Sequence, residues 1–371
     1  MVGPSPQAGL DLAGETWCNQ HMSQDGSGVP DFVTRFSPAY FAAVMATGVV
    51  STASNAWGLY AFAWTLLGIN VLLYASFLGL TIWRAFRARS ALLADLSHDK
   101  TGVGSLTIIA GTSVLGTQIE VLTGWHDLPE GLWALAFLLY LVLLYWFFAV
   151  AISEDPKPPM QEALNGAWLL VIVCSQSLGV LGTARGGMLL HHPVQPFFCV
   201  CMFLVGLFFY FPIISMILYR WMFLPVPPES LTPPYWINMG AVAITTLAGS
   251  NLMLLSSEWP GIADLRIFIK GMTLLAWAVA TWWLPLLCIV GFWRHVVQKV
   301  RLSYDPSYWS MVFPLGMYSL ATSTLAKAIN FPWINWLSQL FLTFALLAWL
   351  TVFVGFCRRV TAVVRGRAQV L

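Results

Sequence analysis

The chain has 371 residues, of which 58% are hydrophobic and only 9% are charged. A soluble domain usually carries about 25% charged residues, so this composition excludes a fold with most of its surface in water and predicts an integral membrane protein. The formal net charge of +2 excludes little, because the placement of the charges carries more information than their sum.

The first 34 residues form a polar segment that precedes the first apolar stretch. This segment contains Pro4, Pro6, several glycines and both signs of charge, and it lacks the basic start and apolar core of a secretory signal. We predict a disordered cytoplasmic tail over residues 1–34, a ten-helix transmembrane domain over 35–360, and a short basic cytoplasmic tail over 361–371.

Ten segments are apolar and long enough to cross a membrane, which takes about 20 mostly apolar residues. Proline-rich turn signals, such as residues 154–159 and 225–228, separate some of them. The predicted spans cover residues 36–55, 60–83, 104–122, 130–152, 165–182, 196–219, 235–256, 267–292, 308–328 and 335–357.

The basic residues predict the orientation, because cytoplasmic segments carry an excess of Lys and Arg. With the amino terminus inside, fourteen of the 18 basic residues fall on the cytoplasmic side. We therefore predict a multi-pass protein of the plasma (inner) membrane with both termini cytoplasmic. The four basic residues on the other side are Arg185, Arg266, Lys270 and Lys327.

The predicted spans alternate in character. The even-numbered spans are apolar on every side, as in residues 138–148, whereas the odd-numbered spans are rich in Gly, Ser and Thr. Lipid penalises unpaired polar groups, so the odd helices must face one another or a wet cavity. The alternative is that small residues only let helices approach closely, although close packing alone does not confine them to alternate spans.

One glycine recurs within each odd span, at steps of 68, 66, 67 and 67 residues. A fixed step predicts one helical hairpin repeated five times. The predicted fold is therefore all-α, with ten transmembrane helices in five tandem hairpins and the odd helices forming an inner ring around a central pore. The repeating glycines are Gly48, Gly116, Gly182, Gly249 and Gly316.

Residues 36–51 (FSPAYFAAVMATGVVS) and 309–322 (WSMVFPLGMYSLAT) are the most distinctive stretches of the chain. They resemble the first and ninth helices of the tellurite-resistance/dicarboxylate transporter family, which includes plant slow anion channels and fungal malate and sulphite permeases. The resemblance covers roughly residues 35–360. It implies ten helices in five hairpins, a pore lined by the odd helices, and a homotrimer in which each subunit keeps its own pore.

The resemblance also implies that a phenylalanine on the ninth helix closes the pore near the middle of the membrane. The matching residue is Phe313, with Tyr318 as the alternative if the match is displaced by about one turn. The plant channels carry a long regulated amino-terminal region, whereas the tail here has about 34 residues. Phosphorylation control of the plant kind is therefore not expected.

Ser and Thr hydroxyls and backbone at glycines offer weak donors to an anion without a fixed charge to hold it. Arg185 and Lys327, at the outer ends of two odd spans, are candidates for an electropositive mouth near Glu120. Alternatively, both snorkel to headgroups or pair with Glu120, Asp127 or Glu258. The predicted pore-lining residues are Thr47, Gly48, Ser51, Thr112, Gly116, Thr117, Ser175, Gly182, Thr246, Gly249, Ser250, Gly316 and Ser319.

Transport of a small anion (a C4-dicarboxylate such as malate, sulphite, chloride or nitrate) through a pore gated by a phenylalanine is the leading hypothesis. The alternative is a proton-coupled C4-dicarboxylate symporter or exporter that uses the same bundle, and a role in tellurite resistance is left open. The spans nearly lack His, Asp and Glu, and the six cysteines are scattered. We therefore expect no enzymatic activity, no metal site, no cofactor and no nucleic-acid partner; the expected partners are the anion and the lipid bilayer.

Overall fold

The computed structural model describes residues 31–98, 102–184, 194–256 and 259–364. Most of the predicted amino-terminal tail and residues 365–371 lie outside these ranges. A short helix at Asp31–Thr34 carries the fully buried Val33, so the packed part of the chain begins just before residue 35. The described residues are overwhelmingly helical and contain no strand.

Ten long helices make up most of the described chain. They are α1 (Phe41–Ala56), α2 (Tyr60–Arg87), α3 (Thr107–Thr123), α4 (Asp127–Ser153), α5 (Leu170–Gly182), α6 (Val194–Phe223), α7 (Ile237–Leu255), α8 (Arg266–Phe292), α9 (Trp309–Ala328) and α10 (Asn335–Val364).

Seven of these helices, namely α2, α3, α4, α6, α7, α8 and α10, are long and apolar enough to cross a membrane. The remaining three are shorter or more polar. α1 and α5 have only 16 and 13 residues, and α9 has 20 residues with Lys327 in its last turn. The chain is therefore a multi-helix membrane protein, and spanning by all ten helices stays a prediction.

The odd-numbered helices contact one another in a closed ring. α1 packs against α3, α3 against α5, α5 against α7, α7 against α9, and α9 returns to α1. Each even-numbered helix packs on the odd helix that precedes it in the chain. The odd helices therefore form the inside of the bundle and the even helices its outside.

Burial follows this arrangement. In the most apolar stretch of α3 and of α7, 83% and 89% of the residues are buried, against 28%, 22%, 28% and 28% in α2, α4, α8 and α10. α6 is intermediate at 50%, because it packs on both α5 and α7. The large apolar side chains left exposed on the even helices form a surface that suits lipid.

Every odd helix begins with a single 3-10 turn. Ser37, Asn165 and Asp305 cap three of these turns, each accepting a hydrogen bond from the backbone N–H two residues later. The recurrence of this start supports the fivefold repeat. The turns are Pro38–Tyr40, Val103–Leu106, Gly166–Leu169, Pro233–Trp236 and Pro306–Tyr308.

A second repeated contact joins each even helix to the next odd helix, and joins α10 to α1. In each case an aromatic side chain on the even helix is hydrogen-bonded to a hydroxyl or a carbonyl on the odd helix. The pairs are Tyr74–Thr112, Tyr140–Ser175 and Trp277–Thr322 at 3.0 Å, Tyr210 to the carbonyl of Asn238 at 3.3 Å, and Trp349–Thr47 at 3.0 Å.

Some local features were not predicted from the sequence. A short helix at Arg89–Leu96 follows α2, and π-helical turns interrupt α4 at Tyr140–Leu144 and extend α8 at Trp293–Val297. Pro314 lies inside α9, where its ring packs close to Gly240 of α7. The absence of a side chain at Gly240 lets the two helices cross at this point.

Candidate functional site

A cavity of about 450 Å³ opens where the five odd helices end. All five contribute to its wall, so the cavity lies on the axis of the ring. We call this end of the bundle the Lys327 end and the opposite end, where the odd helices begin, the basic end. The polar residues that line the cavity are Thr52, Asn55, Thr117, Thr183, Asn251, Thr324 and Lys327.

The cavity wall carries hydroxyl and amide groups and one positive charge. Among the described residues that line the cavity, Lys327 in the last turn of α9 is the only charged one. The amide nitrogen of Asn251 donates a hydrogen bond to the hydroxyl of Thr183 at 3.2 Å, which links α7 to α5 across the wall. A neutral donor-rich surface with a single cation is suited to attracting a small anion without holding it permanently.

Of the predicted pore-lining residues, only Thr117 lines this cavity. The hydroxyls of five others face the surrounding even helices instead. Thr47, Thr112 and Ser175 take part in the aromatic contacts given above. Ser51 donates to the carbonyl of Ala63 on α2 at 2.7 Å, and Ser319 donates to the carbonyl of Ser338 on α10 at 2.7 Å.

The five repeating glycines also lie at contacts between helices. A Cβ atom built on any of them would meet a side chain of a neighbouring helix at 3.0 Å or less. At these positions the packing agrees with the alternative interpretation, in which small residues let neighbouring helices approach closely. The nearest atoms belong to Val114 for Gly48, Leu181 for Gly116, Cys199 for Gly182, Thr273 for Gly249 and Val50 for Gly316.

Thr246 and Ser250 on α7 are both fully buried. Thr246 donates to the carbonyl of Val242 on its own helix at 2.8 Å. Among the described residues, the hydroxyl of Ser250 has no hydrogen-bond partner. Ser250 precedes Asn251 of the cavity wall but does not itself line the cavity.

Phe313 is 1% exposed and lies on α9 toward the basic end. It precedes the cavity residue Leu320 by seven residues, so it lies on the same face of α9 about 10.5 Å further along the axis. The alternative residue, Tyr318, faces the outer helices. Its hydroxyl is 2.8 Å from that of Thr281 on α8, and its ring contacts Phe341 on α10.

The predicted mouth residues have different environments. Arg185 lies outside the described residues, as does Glu258, whereas Lys327 lines the cavity. Glu120 is 1% exposed and does not line the cavity. Its Oε1 lies 3.1 Å from Nδ1 of His126, and its Oε2 has no hydrogen-bond partner among the described residues. Glu120 therefore pairs with His126 and not with Lys327.

The predicted pore-lining residues did not include Thr52, Asn55, Thr183, Asn251 or Thr324, all of which line the cavity. A signal was available in the last turns of the odd helices. Four of the helices have a hydroxyl or amide residue one or two turns before the helix ends, and in α5 the hydroxyl residue, Thr183, directly follows the last helical residue.

Comparison with known proteins identifies the family of this chain. The family profile of SLAC1, described as voltage-dependent anion channel, matches residues 35–357. The chain belongs to the SLAC1 family. This membership makes it a membrane transporter of anions, and it confirms the resemblance seen in the first and ninth helices.

Relatives of this SLAC1-family protein occur in Methanocaldococcus jannaschii and Mycobacterium tuberculosis. Two uncharacterized transporters of Methanocaldococcus jannaschii are 25% and 26% identical to it, over 82% and 83% of this chain and 89% and 88% of their own lengths. An uncharacterized membrane protein of Mycobacterium tuberculosis is 34% identical over 162 residues, which is 44% of this chain and 81% of the relative.

Proposed function

We propose that this protein conducts small anions across the plasma membrane along the axis of the five odd helices, and that all ten helices span the bilayer. The cavity carries the proposal. It lies on the axis, and all five odd helices line it. Among the described residues that line it, the one charged residue is the cation Lys327. An anion attracted by Lys327 exchanges water for the hydroxyl and amide groups of the wall.

Phe313 is the proposed gate. Its burial and its position on the cavity face of α9 support this role. A closed aromatic constriction excludes ions sterically and by dewetting. Pro314, next to it, removes one backbone hydrogen bond of α9 and gives the helix a point at which it can bend.

The orientation that we propose has the basic end in the cytoplasm. Arg84, Arg87, Arg220 and Arg294 all lie at this end of the even helices, as an excess of basic residues inside requires. The cavity then opens to the outside. The homotrimer implied by the family resemblance belongs to the same proposal, with the apolar faces of the even helices available for contacts between subunits.

The test is flux through purified protein in liposomes. Chloride, nitrate, sulphite and malate are presented one at a time, with and without a proton gradient. We expect flux of at least one of these anions in the absence of a proton gradient, and none of potassium. Liposomes that pass no anion under either condition would overturn the proposal.

A second candidate, proton-coupled symport of a C4-dicarboxylate, is favoured by one observation. Glu120 is a buried carboxylate close to the Lys327 end, and one of its oxygens lacks a hydrogen-bond partner among the described residues. Ionisable groups of this kind often carry protons in transporters. If coupling operates, uptake depends on the proton gradient and Glu120→Gln removes that dependence. Under the channel proposal, flux is independent of the gradient in both proteins.

A further inference from the structure

Two arginines are buried at the basic end of the bundle, in corresponding places of the first and third hairpins. Arg84 ends α2 and is 2% exposed, and Arg220 ends α6 and is 3% exposed. They are 136 residues apart, which is two steps of 68. Each donates from Nη1 to a backbone carbonyl that precedes the odd helix of its own hairpin, that of Phe36 or that of Leu164.

The two arginines differ in how their charge is compensated. Arg84 forms an ion pair with Asp95 at 2.6 Å and also donates to the carbonyl of Ala91. Arg220 has only neutral partners in the described chain: its Nη1 donates to the carbonyl of Leu164 and to the hydroxyl of Tyr235, and its guanidinium carbon lies 5.9 Å from the centre of the Tyr235 ring. Among the described residues, no carboxylate forms an ion pair with Arg220.

A buried charge without a counter-charge is costly, because it has lost its hydration. Among the described residues, the Nε atom of Arg220, like that of Arg84, is buried without a hydrogen-bond partner. The difference lies at Nη2, which binds Asp95 in Arg84 and makes neither of the two hydrogen bonds of Arg220. Nε and Nη2 form the edge of a guanidinium group that binds an oxyanion through two parallel hydrogen bonds. This edge is therefore the vacant part of the group.

Arg220 lines a cavity of about 570 Å³ at the basic end. Asn165, Ser230 and Thr232 add an amide and two hydroxyls to the wall, and Pro225 and Pro227 stiffen the loop that covers it. Gln161 and Glu162 also line the cavity, and both are exposed. The wall thus combines one buried cation with one exposed carboxylate and several neutral polar groups.

We propose that this basic-end cavity binds an oxyanion, a phosphate, sulfate or carboxylate group held by the Nε–Nη2 edge of Arg220. The ligand supplies the negative charge that Asp95 supplies to Arg84 in the first hairpin. Its source is either a free anion or the headgroup of an anionic phospholipid. The site is separate from the axial cavity, so it stands whether or not the proposed conduction route is correct.

The test uses the full chain in detergent, freed of added lipid, and follows its apparent melting temperature as sulfate is titrated at constant ionic strength with chloride. We expect a saturable rise of at least about 2 °C for the unmodified protein. Arg220→Gln should abolish the rise and Arg220→Lys should weaken it, because an ammonium group lacks the bidentate edge. Arg87→Gln, which removes an exposed cation at the same end, should leave it unchanged.

Ser230→Asp provides a variant that keeps Arg220 and adds an internal carboxylate to the cavity. We expect it to melt at a higher temperature than the unmodified protein without sulfate and to show no further rise with sulfate. This variant keeps the proposal testable if Arg220→Gln fails to fold.

A second measurement identifies the source of the ligand. Native mass spectrometry of protein extracted from vesicles of phosphatidylglycerol and phosphatidylcholine shows whether a phosphatidylglycerol molecule stays bound. Retention that Arg220→Gln abolishes and Arg87→Gln preserves indicates a headgroup, and a sulfate response without retention indicates a free anion. If neither response depends on Arg220, the proposal is wrong.

Discussion

The indole nitrogen of Trp349 donates a hydrogen bond to the hydroxyl of Thr47 at 3.0 Å, and so joins the last long helix to the first across 302 residues of sequence. The same kind of bond joins α2 to α3 and α4 to α5. The contact between the first and fifth hairpins is therefore made in the same way as contacts between hairpins that are adjacent in sequence.

Thr47→Val should destabilise the bundle, because it leaves the buried indole N–H of Trp349 without an acceptor. The expected loss is about 1–3 kcal/mol, measured as the change in unfolding free energy in detergent. Thr351→Val, on the exposed side of α10, removes a hydroxyl bonded only to its own helix and is the control. Equal losses in the two variants would show that the bond between hairpins contributes little.

Lys327→Gln should reduce anion flux at low ionic strength. A unit charge about 4 Å from an anion in water contributes about 1 kcal/mol, which corresponds to roughly a fivefold change, and salt should diminish the difference. Lys270→Gln is the matched control, since Lys270 lies on α8 near the same end and does not line the cavity. If both changes alter the flux equally, Lys327 has no special role in attracting anions to the cavity.

Phe313→Ala should raise basal anion flux, because it removes the ring proposed to close the axis. Phe203→Ala is the control for loss of a buried ring, since Phe203 is also fully buried but packs near Gly249 on the α6 side of α7. Both changes should cost about 3–5 kcal/mol of stability. Only Phe313→Ala should increase flux in liposomes, and a similar increase in both variants would indicate general loosening of the bundle.

Gly249→Ala should disrupt packing between α7 and α8. The added Cβ would lie 2.0 Å from Oγ1 of Thr273 and 2.9 Å from the ring of Phe203, so the helices must move apart. Overpacking of this kind costs about 1–3 kcal/mol. Gly271→Ala, on α8 with nothing within 4 Å, should be tolerated. Thermal unfolding of the two variants in detergent measures the difference.

The alternation of the helices could be predicted from the sequence, because lipid imposes a strong rule on which residues it contacts. Residues 138–148 lack any polar face, and they lie on α4, where 22% of the most apolar stretch is buried. In the same way, the many small polar residues of α3 and α7 correctly predicted that these two helices are buried. The predicted limits of most helices also fall within a few residues of those observed.

The side of each inner helix that faces the axis could not be predicted. An odd helix is buried on every side, so no contrast between polar and apolar faces points toward the cavity. Its hydroxyls give no direction either, because many bond to the carbonyl four residues earlier, as Thr112, Ser113 and Thr246 do. The glycine at position 249 is required because the side chain of Thr273 on α8 fills the space that a Cβ atom would occupy, and the sequence alone does not show this contact.

The closure of the ring by α9 on α1 has a consequence for biosynthesis. α1 is made first, yet the surface that packs on Gly316 of α9 is covered only after the fifth hairpin has been inserted. Until then α1 presents Val49, Val50 and neighbouring small polar residues to lipid or to a chaperone. Assembly of this protein therefore ends with the step that joins its oldest segment to its newest.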